Sequence, residues 1–149
     1  MGKKKVVQKE FVDDRKKPKE GANPTSYQTQ NPCWRFKKCD KTHPRWSVYS
    51  NGVVAPDLIE KLISFEGMTW GEIQAASGGK SEGNGSNSHF EEVRKMSPEA
   101  RKRLMYLNIY EDTLFSLRLT GRSRLYGIIN DGIFEVLWLD RKHEVYPCK

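Results

Sequence analysis

The sequence predicts an α+β domain: an antiparallel sheet with two to three helices on one face, in the order β(β)-α-α-α-β-β-β. Three observations carry this. Residues 114–146, LFSLRLTGRSRLYGIINDGIFEVLWLDRKHEVY, read as three strands joined by tight turns at TGRS (120–123) and Asn130-Asp131-Gly132. Glycine and Asx residues accept the positive φ that such turns need. Between residues 56 and 108, apolar residues recur at helical spacing behind recognisable caps. Ahead of those helices, CWRFKKC (33–39) and RWSVYS (45–50) are both compatible with strands.

Residues 1–30 read as a disordered basic arm, with Pro18, Gly21 and Pro24 and few large apolar groups. They hold eight Lys/Arg against four acids, a net charge of +4, leaving +3 of the total +7 for residues 31–149. A basic excess of this kind favours polyanions, nucleic acid above all, through counterion release. Lys3, Lys4 and Lys5 lead that arm.

A single domain then spans residues 31–149. Asp40-Lys41-Thr42-His43-Pro44 is expected to link the first two strands as a hairpin. Asn51-Gly52 makes the next turn. Pro56 opens a helix at the position where its missing amide costs nothing. Leu58, Ile59, Leu62, Ile63 and Phe65 form its apolar stripe. Thr69 and Glu72 give a T-x-x-E capping box for a second short helix, TWGEIQAA. GGKSEGNGSNS (78–88) is a flexible loop by composition. Ser97-Pro98 starts a third helix, PEARKRLMYLN, with Ala100, Leu104 and Leu107 inward and Arg101, Lys102 and Arg103 forming a basic outer face. In the meander, Phe115, Leu117 and Leu119 alternate with Ser116, Arg118 and Thr120. One face of the sheet therefore serves a core, and the other is solvated, shielded or used.

No long uncharged apolar run and no signal-peptide core occur, so the expectation is a cytoplasmic protein that meets no membrane. Three cysteines in such a chain read as thiols rather than a disulfide frame. Cys33, Cys39 and His43, joined by His89 or Cys148, are the one metal-like combination, with looser spacing than zinc knuckles, and no cofactor is expected. P-loop, G-x-G-x-x-G and G-x-S-x-G motifs are missing from the sequence.

Two groups of residues carry chemistry. Arg118 and Arg124 fall close together across the predicted hairpin, with Arg122 in its turn, and planar guanidiniums on one face suit a phosphodiester. Asp140-Arg141-Lys142-His143-Glu144-Val145-Tyr146 supplies a side chain that titrates near neutrality in His143, a base or orienting carboxylate in Glu144, and a proton donor or stacking ring in Tyr146. Among the aromatic residues, Trp70 and Trp138 read as core anchors rather than base-stacking platforms.

With these residues laid out, the chain resembles the RelE/ParE-type toxin superfamily: small basic proteins with a first strand, two helices and a closing antiparallel meander. RLYGIINDGIFEVLWLDRKHEVY is similar to that family's last two strands and working segment. CWRF, FEGMTWGEI and LWLDRKHEV resemble segments of an uncharacterised bacterial family more tightly. The toxin resemblance implies a metal-independent endoribonuclease acting on mRNA at the ribosome, restrained by an acidic antitoxin partner. It implies Arg118 and Arg124 as phosphate-holding cations, His143 or Glu144 as the base, Tyr146 as an acid or stacking group, and Lys142 as an auxiliary cation. The stretch from 67 to 95 is long for the family, and its gyrase-directed branch is not a nuclease. The alternative is a non-enzymatic module that binds nucleic acid or protein, as an inhibitor or regulator from a mobile element would.

Overall fold

A computed structural model of the chain describes residues 26–76 and 88–147. Strands β1 (Cys33–Arg35), β4 (His89–Glu92), β5 (Thr113–Arg118), β6 (Arg124–Asn130) and β7 (Ile133–Asp140) form one sheet in the order β1-β7-β6-β5-β4. Strands β2 (Tyr49–Ser50) and β3 (Val53–Val54) make a separate small hairpin. The helices are α1 (Pro56–Phe65), α2 (Trp70–Ala75) and α3 (Pro98–Tyr106), with short 3-10 turns at Ser26–Thr29 and Val93–Lys95. No helix among the described residues is long and apolar enough to cross a membrane.

The α+β class is as expected, but the sheet is mixed rather than antiparallel. β1 runs parallel to β7, with Trp34 beside Phe134, while β4 to β7 pair antiparallel. The expected 33–50 hairpin does not form, because both of its segments spend their backbone on β7. The Asp40 amide bonds to the Leu137 carbonyl, and the Leu139 amide to the Trp46 carbonyl. Residues 33–46 thus follow the edge of β7, and only Tyr49 and Ser50 turn back at Asn51-Gly52 to pair with Val53 and Val54. β4 carries no apolar alternation, which is why His89–Glu92 reads as loop in the sequence.

Helices cover both faces, another departure from expectation. Leu117, Leu125 and Leu139 lie side by side on one face, which packs against Leu58 and Leu62 of α1 and Trp70 and Ile73 of α2. Leu114, Tyr126 and Trp138 point the other way, onto Ala100 and Leu104 of α3 together with Trp46 and Val145. A β-bulge where Tyr126 and Gly127 face β7 places Leu137 and Trp138 on the same side. Gly127 is required there. A Cβ would lie 2.3 Å from the Glu135 carbonyl oxygen and 2.7 Å from the Phe134 ring.

Local signals hold where capping chemistry is explicit. Thr69 Oγ1 accepts from the Glu72 amide at 3.1 Å, and the Glu72 carboxylate accepts from the Thr69 amide at 2.9 Å. Ser97 Oγ accepts from the Ala100 amide. The α1 stripe is narrower than its spacing suggests, since Ile59 and Ile63 are exposed. Trp70 is fully buried, and its Nε1–H donates to the Gly132 carbonyl at 2.8 Å, fixing α2 to the β6–β7 turn. Asp131 and Gly132 both adopt positive φ in that turn. The third helix stops at Tyr106, and Asn108 takes φ +60°. Part of the expected arm packs on the domain: Tyr27 lies against the first core, and Gln28 Nε2 donates to the Gln74 side chain at 3.2 Å. Residues 1–25 of the expected arm, Lys3, Lys4 and Lys5 among them, lie outside the described residues, as do 77–87 and Cys148.

Candidate functional site

The register of β5, β6 and β7 sets Arg118 opposite Arg124 and Arg124 opposite Asp140, so all three lie in one row on the α3-facing side of the sheet. The predicted proximity of the two arginines holds. Their environments differ. Arg118 is half-buried and borders a depression of about 470 Å³ beside α1 and α2. Arg124 is 5% exposed, and its Nη1 donates to the carbonyls of Gly121 (2.9 Å) and Ser123 (3.1 Å). The expectation that Arg124 faces a phosphate in solvent is thereby corrected: the guanidinium braces its own hairpin turn. Arg122, at the tip of that turn, is exposed.

The C-terminal group is drawn to different surroundings. Asp140 is fully buried and accepts from the amides of Lys142 (3.3 Å) and Val145 (2.7 Å), so residues 141–145 curl around its carboxylate. His143 takes φ +63°, and its buried Nδ1 meets no hydrogen-bond partner. Glu144 is not poised beside His143 as a base; it binds the Arg45 guanidinium, which also holds Glu99. Tyr146 packs partly buried against the second core, and Lys142 is exposed.

The basic face expected on α3 is split. Arg101 and Lys102 are exposed, with Arg101 Nε donating to the Met96 carbonyl. Arg103 turns inward. Its Nε and Nη2 each reach the Asp40 carboxylate at 2.8 Å, and Nη2 also reaches Thr42 Oγ1. Asp40 is 2% exposed and additionally accepts from Trp138 Nε1 at 2.9 Å and from the amides of Thr42 and His43. Burial alone would raise its pKa, but hydrogen bonds from Arg103, Trp138 and Thr42 outweigh that and hold it at about 2.

His43 stacks on Trp46 with ring centroids 4.1 Å apart, and its Nδ1 accepts from the amides of Arg45 and Trp46. That network assigns the ring proton to Nε2, which lies 3.0 Å from Glu99 Oε2. Both nitrogens are thus engaged within the protein. Burial raises the Cys39 thiol pKa, and Cys33 is exposed on β1. Among the described residues, no group of three or more His, Cys, Asp or Glu is placed to hold a metal ion.

A second polar row lies next to the arginine row. His89 on β4 faces Ser116 on β5, which faces Tyr126 on β6. His89 Nε2 is 2.8 Å from Glu91 Oε2, with the imidazole 35% and the carboxylate 11% exposed. Tyr126 is fully buried, and its hydroxyl makes no hydrogen bond of normal geometry. Burial raises its pKa; Ser116 eases the phenolate, Asp140 and Glu91 oppose it, and Arg124 favours it. One polar cluster therefore joins both rows. The signal for His89 and Glu91 was weak in sequence: an i, i+2 pair shares a face only once the segment is known to be a strand. Comparison with known proteins returns no matching family model, no matching curated protein and no matching solved structure.

Proposed function

We propose that this chain is a metal-independent endoribonuclease of toxin type whose reaction centre is the His89–Glu91 pair together with Arg118. The observation that carries the reading is the 2.8 Å imidazole–carboxylate contact on the sheet face to which strand register assigns Arg118, a residue that also borders the depression beside α1 and α2. Arg118 sits one position diagonally from His89, about 7 Å away for strand neighbours of this kind. Support also comes from the order of elements, a first strand β1, the helices α1 and α2, and a closing antiparallel β5–β7 meander, which resembles the order of RelE/ParE-type toxins. On this reading the β2–β3 hairpin, β4 and α3 are additions to that order.

In the step this arrangement suits, the 2′-hydroxyl of the RNA attacks the adjacent phosphorus and gives its proton to the His89–Glu91 pair. The bond from phosphorus to the 5′-oxygen breaks, and that oxygen leaves with a proton drawn from solvent. The products are a 2′,3′-cyclic phosphate and a 5′-hydroxyl end. A carboxylate beside an imidazole stabilises the cation formed when the ring takes up a proton. A guanidinium fixed beside the phosphorane opposes its added negative charge, which is the larger catalytic contribution. Action at the ribosome and restraint by an acidic partner protein belong to the same reading.

The test uses one RNA and the same RNA carrying a single 2′-deoxynucleotide at the cut position, both in EDTA. Cleavage of the first, to a cyclic phosphate end, with none of the second supports the reading. Equal cutting of both would exclude 2′-hydroxyl attack. Binding without cleavage is a second reading, favoured by the diversion of Arg124 onto carbonyls and of Glu144 onto Arg45. Tight binding of both oligonucleotides with neither cut would select it.

A further inference from the structure

Two depressions meet at His43 and Pro44, away from the reaction centre proposed above. The first, of about 680 Å³, carries Lys41 and Arg45 from the loop after β1 and Arg141 from the end of β7, and no carboxylate lines it. Tyr49 forms part of its wall, with the Lys41 ammonium 5.9 Å from the ring centroid. The second, of about 540 Å³, carries Lys102 and Arg103 beside Tyr106, which is 71% exposed with the Arg103 guanidinium 4.7 Å from its ring centroid. His43 and Pro44 line both, so the two depressions adjoin and are taken together as one groove.

We infer that this groove binds single-stranded RNA, tracking the sugar–phosphate backbone along its cations and stacking bases on Tyr49 and Tyr106. The inference rests on the endoribonuclease reading for the choice of RNA as polymer. Its other support is independent. Lys41 and Arg141 in one depression and Lys102 in the other, with a tyrosine lining each, match the needs of an unpaired strand, whose charge repeats and whose bases present flat faces. One small anion would occupy only one of the two depressions.

The acids nearby do not close the groove to phosphate. Glu99 lines the second depression, but its carboxylate is already held by His43 and Arg45; Arg45 also holds Glu144 and Arg103 holds Asp40, so these two guanidiniums are committed within the protein. Arg141 is 48% exposed and pairs with Asp57, which is 67% exposed, and such exposed pairs exchange partners at little cost. Lys41 and Lys102 hold no carboxylate among the described residues. They are the cations most available to a strand, and neither appears in the polar cluster around Tyr126.

The experiment measures binding of a fluorescent 2′-O-methyl RNA of about ten nucleotides, which cannot undergo 2′-hydroxyl attack, across a range of salt. Lys41→Glu and Lys102→Glu are each expected to weaken affinity about tenfold at low salt and to lower the salt slope by about one, whereas Lys41→Arg and Lys102→Arg retain binding. Both positions are exposed, and melting temperatures check that the variants are folded. Unchanged affinity and slope in both charge reversals overturns the inference. So does binding of a mononucleotide as tight as that of the oligomer, which marks a small-anion site. Groove-dependent binding without RNA cleavage would overturn the endoribonuclease reading alone. Cleavage with no groove dependence would overturn this inference alone.

Discussion

Arg103 grips Asp40 with two parallel hydrogen bonds, Nε to Oδ2 and Nη2 to Oδ1, each 2.8 Å long, so that α3 is tied to the loop after β1. The carboxylate is 2% exposed, and its Oδ2 also accepts from Trp138 Nε1 of β7. One buried charge thus joins three elements. It also explains why a helix whose outer face reads as uniformly basic presents only part of that charge to solvent.

This pair makes acid stability predictable. In the unfolded chain Asp40 titrates near 3.8, and in the fold at about 2. A depressed carboxylate pKa stabilises the fold above the unfolded value, and that stabilisation is lost as pH falls through the folded value. The contribution is about 2 kcal/mol, present above pH ~4 and gone below ~2. Asp40→Asn is expected to cost about 3 kcal/mol at neutral pH, by leaving Arg103 without its counter-charge. It should also flatten the pH dependence of the melting temperature between about 4 and 2. Thermal unfolding of both proteins across that range checks each part.

Gly127→Ala should destabilise the sheet by about 2–3 kcal/mol, because the added carbon meets the Glu135 backbone, which cannot step aside as a side chain could. Urea denaturation measures it. A change within about 0.5 kcal/mol, the range typical of surface positions, would show that the bulge beside Trp138 relaxes freely.

Arg124 and Arg122 separate a structural arginine from an exposed one. Arg124→Met removes the donor that holds the Gly121 and Ser123 carbonyls and is expected to cost about 1–3 kcal/mol. Arg122→Ala, at the exposed tip, should stay within about 0.5 kcal/mol. Equal losses in the two variants, read by chemical denaturation, would contradict the assignment of Arg124 to the turn.

The residues whose signals were local were the ones legible in the sequence. Thr69 with Glu72, Ser97 before Pro98, and Asp131-Gly132 each state their structure within four positions, and each forms as read. Pairing partners were not legible. Nothing in CWRF announces that its strand lies parallel to β7, because that choice is made by Trp34 meeting Phe134 and Trp70 in a core assembled from distant segments. The site followed the same division. The Arg118–Arg124 pairing came from the hairpin itself, whereas the burial of Arg124, the capture of Glu144 by Arg45 and the His89–Glu91 contact all depend on tertiary neighbours.

The most direct measurement is the rate at which purified protein cuts RNA in EDTA, comparing wild type with His89→Ala and His143→Ala at matched folded concentration. The account predicts that His89→Ala loses about a hundredfold or more while keeping its melting temperature, as removal of a proton-transfer group does. His143→Ala should cut within a few-fold of wild type. Cutting by His89→Ala at the wild-type rate, or no cutting by wild type at all, would contradict it.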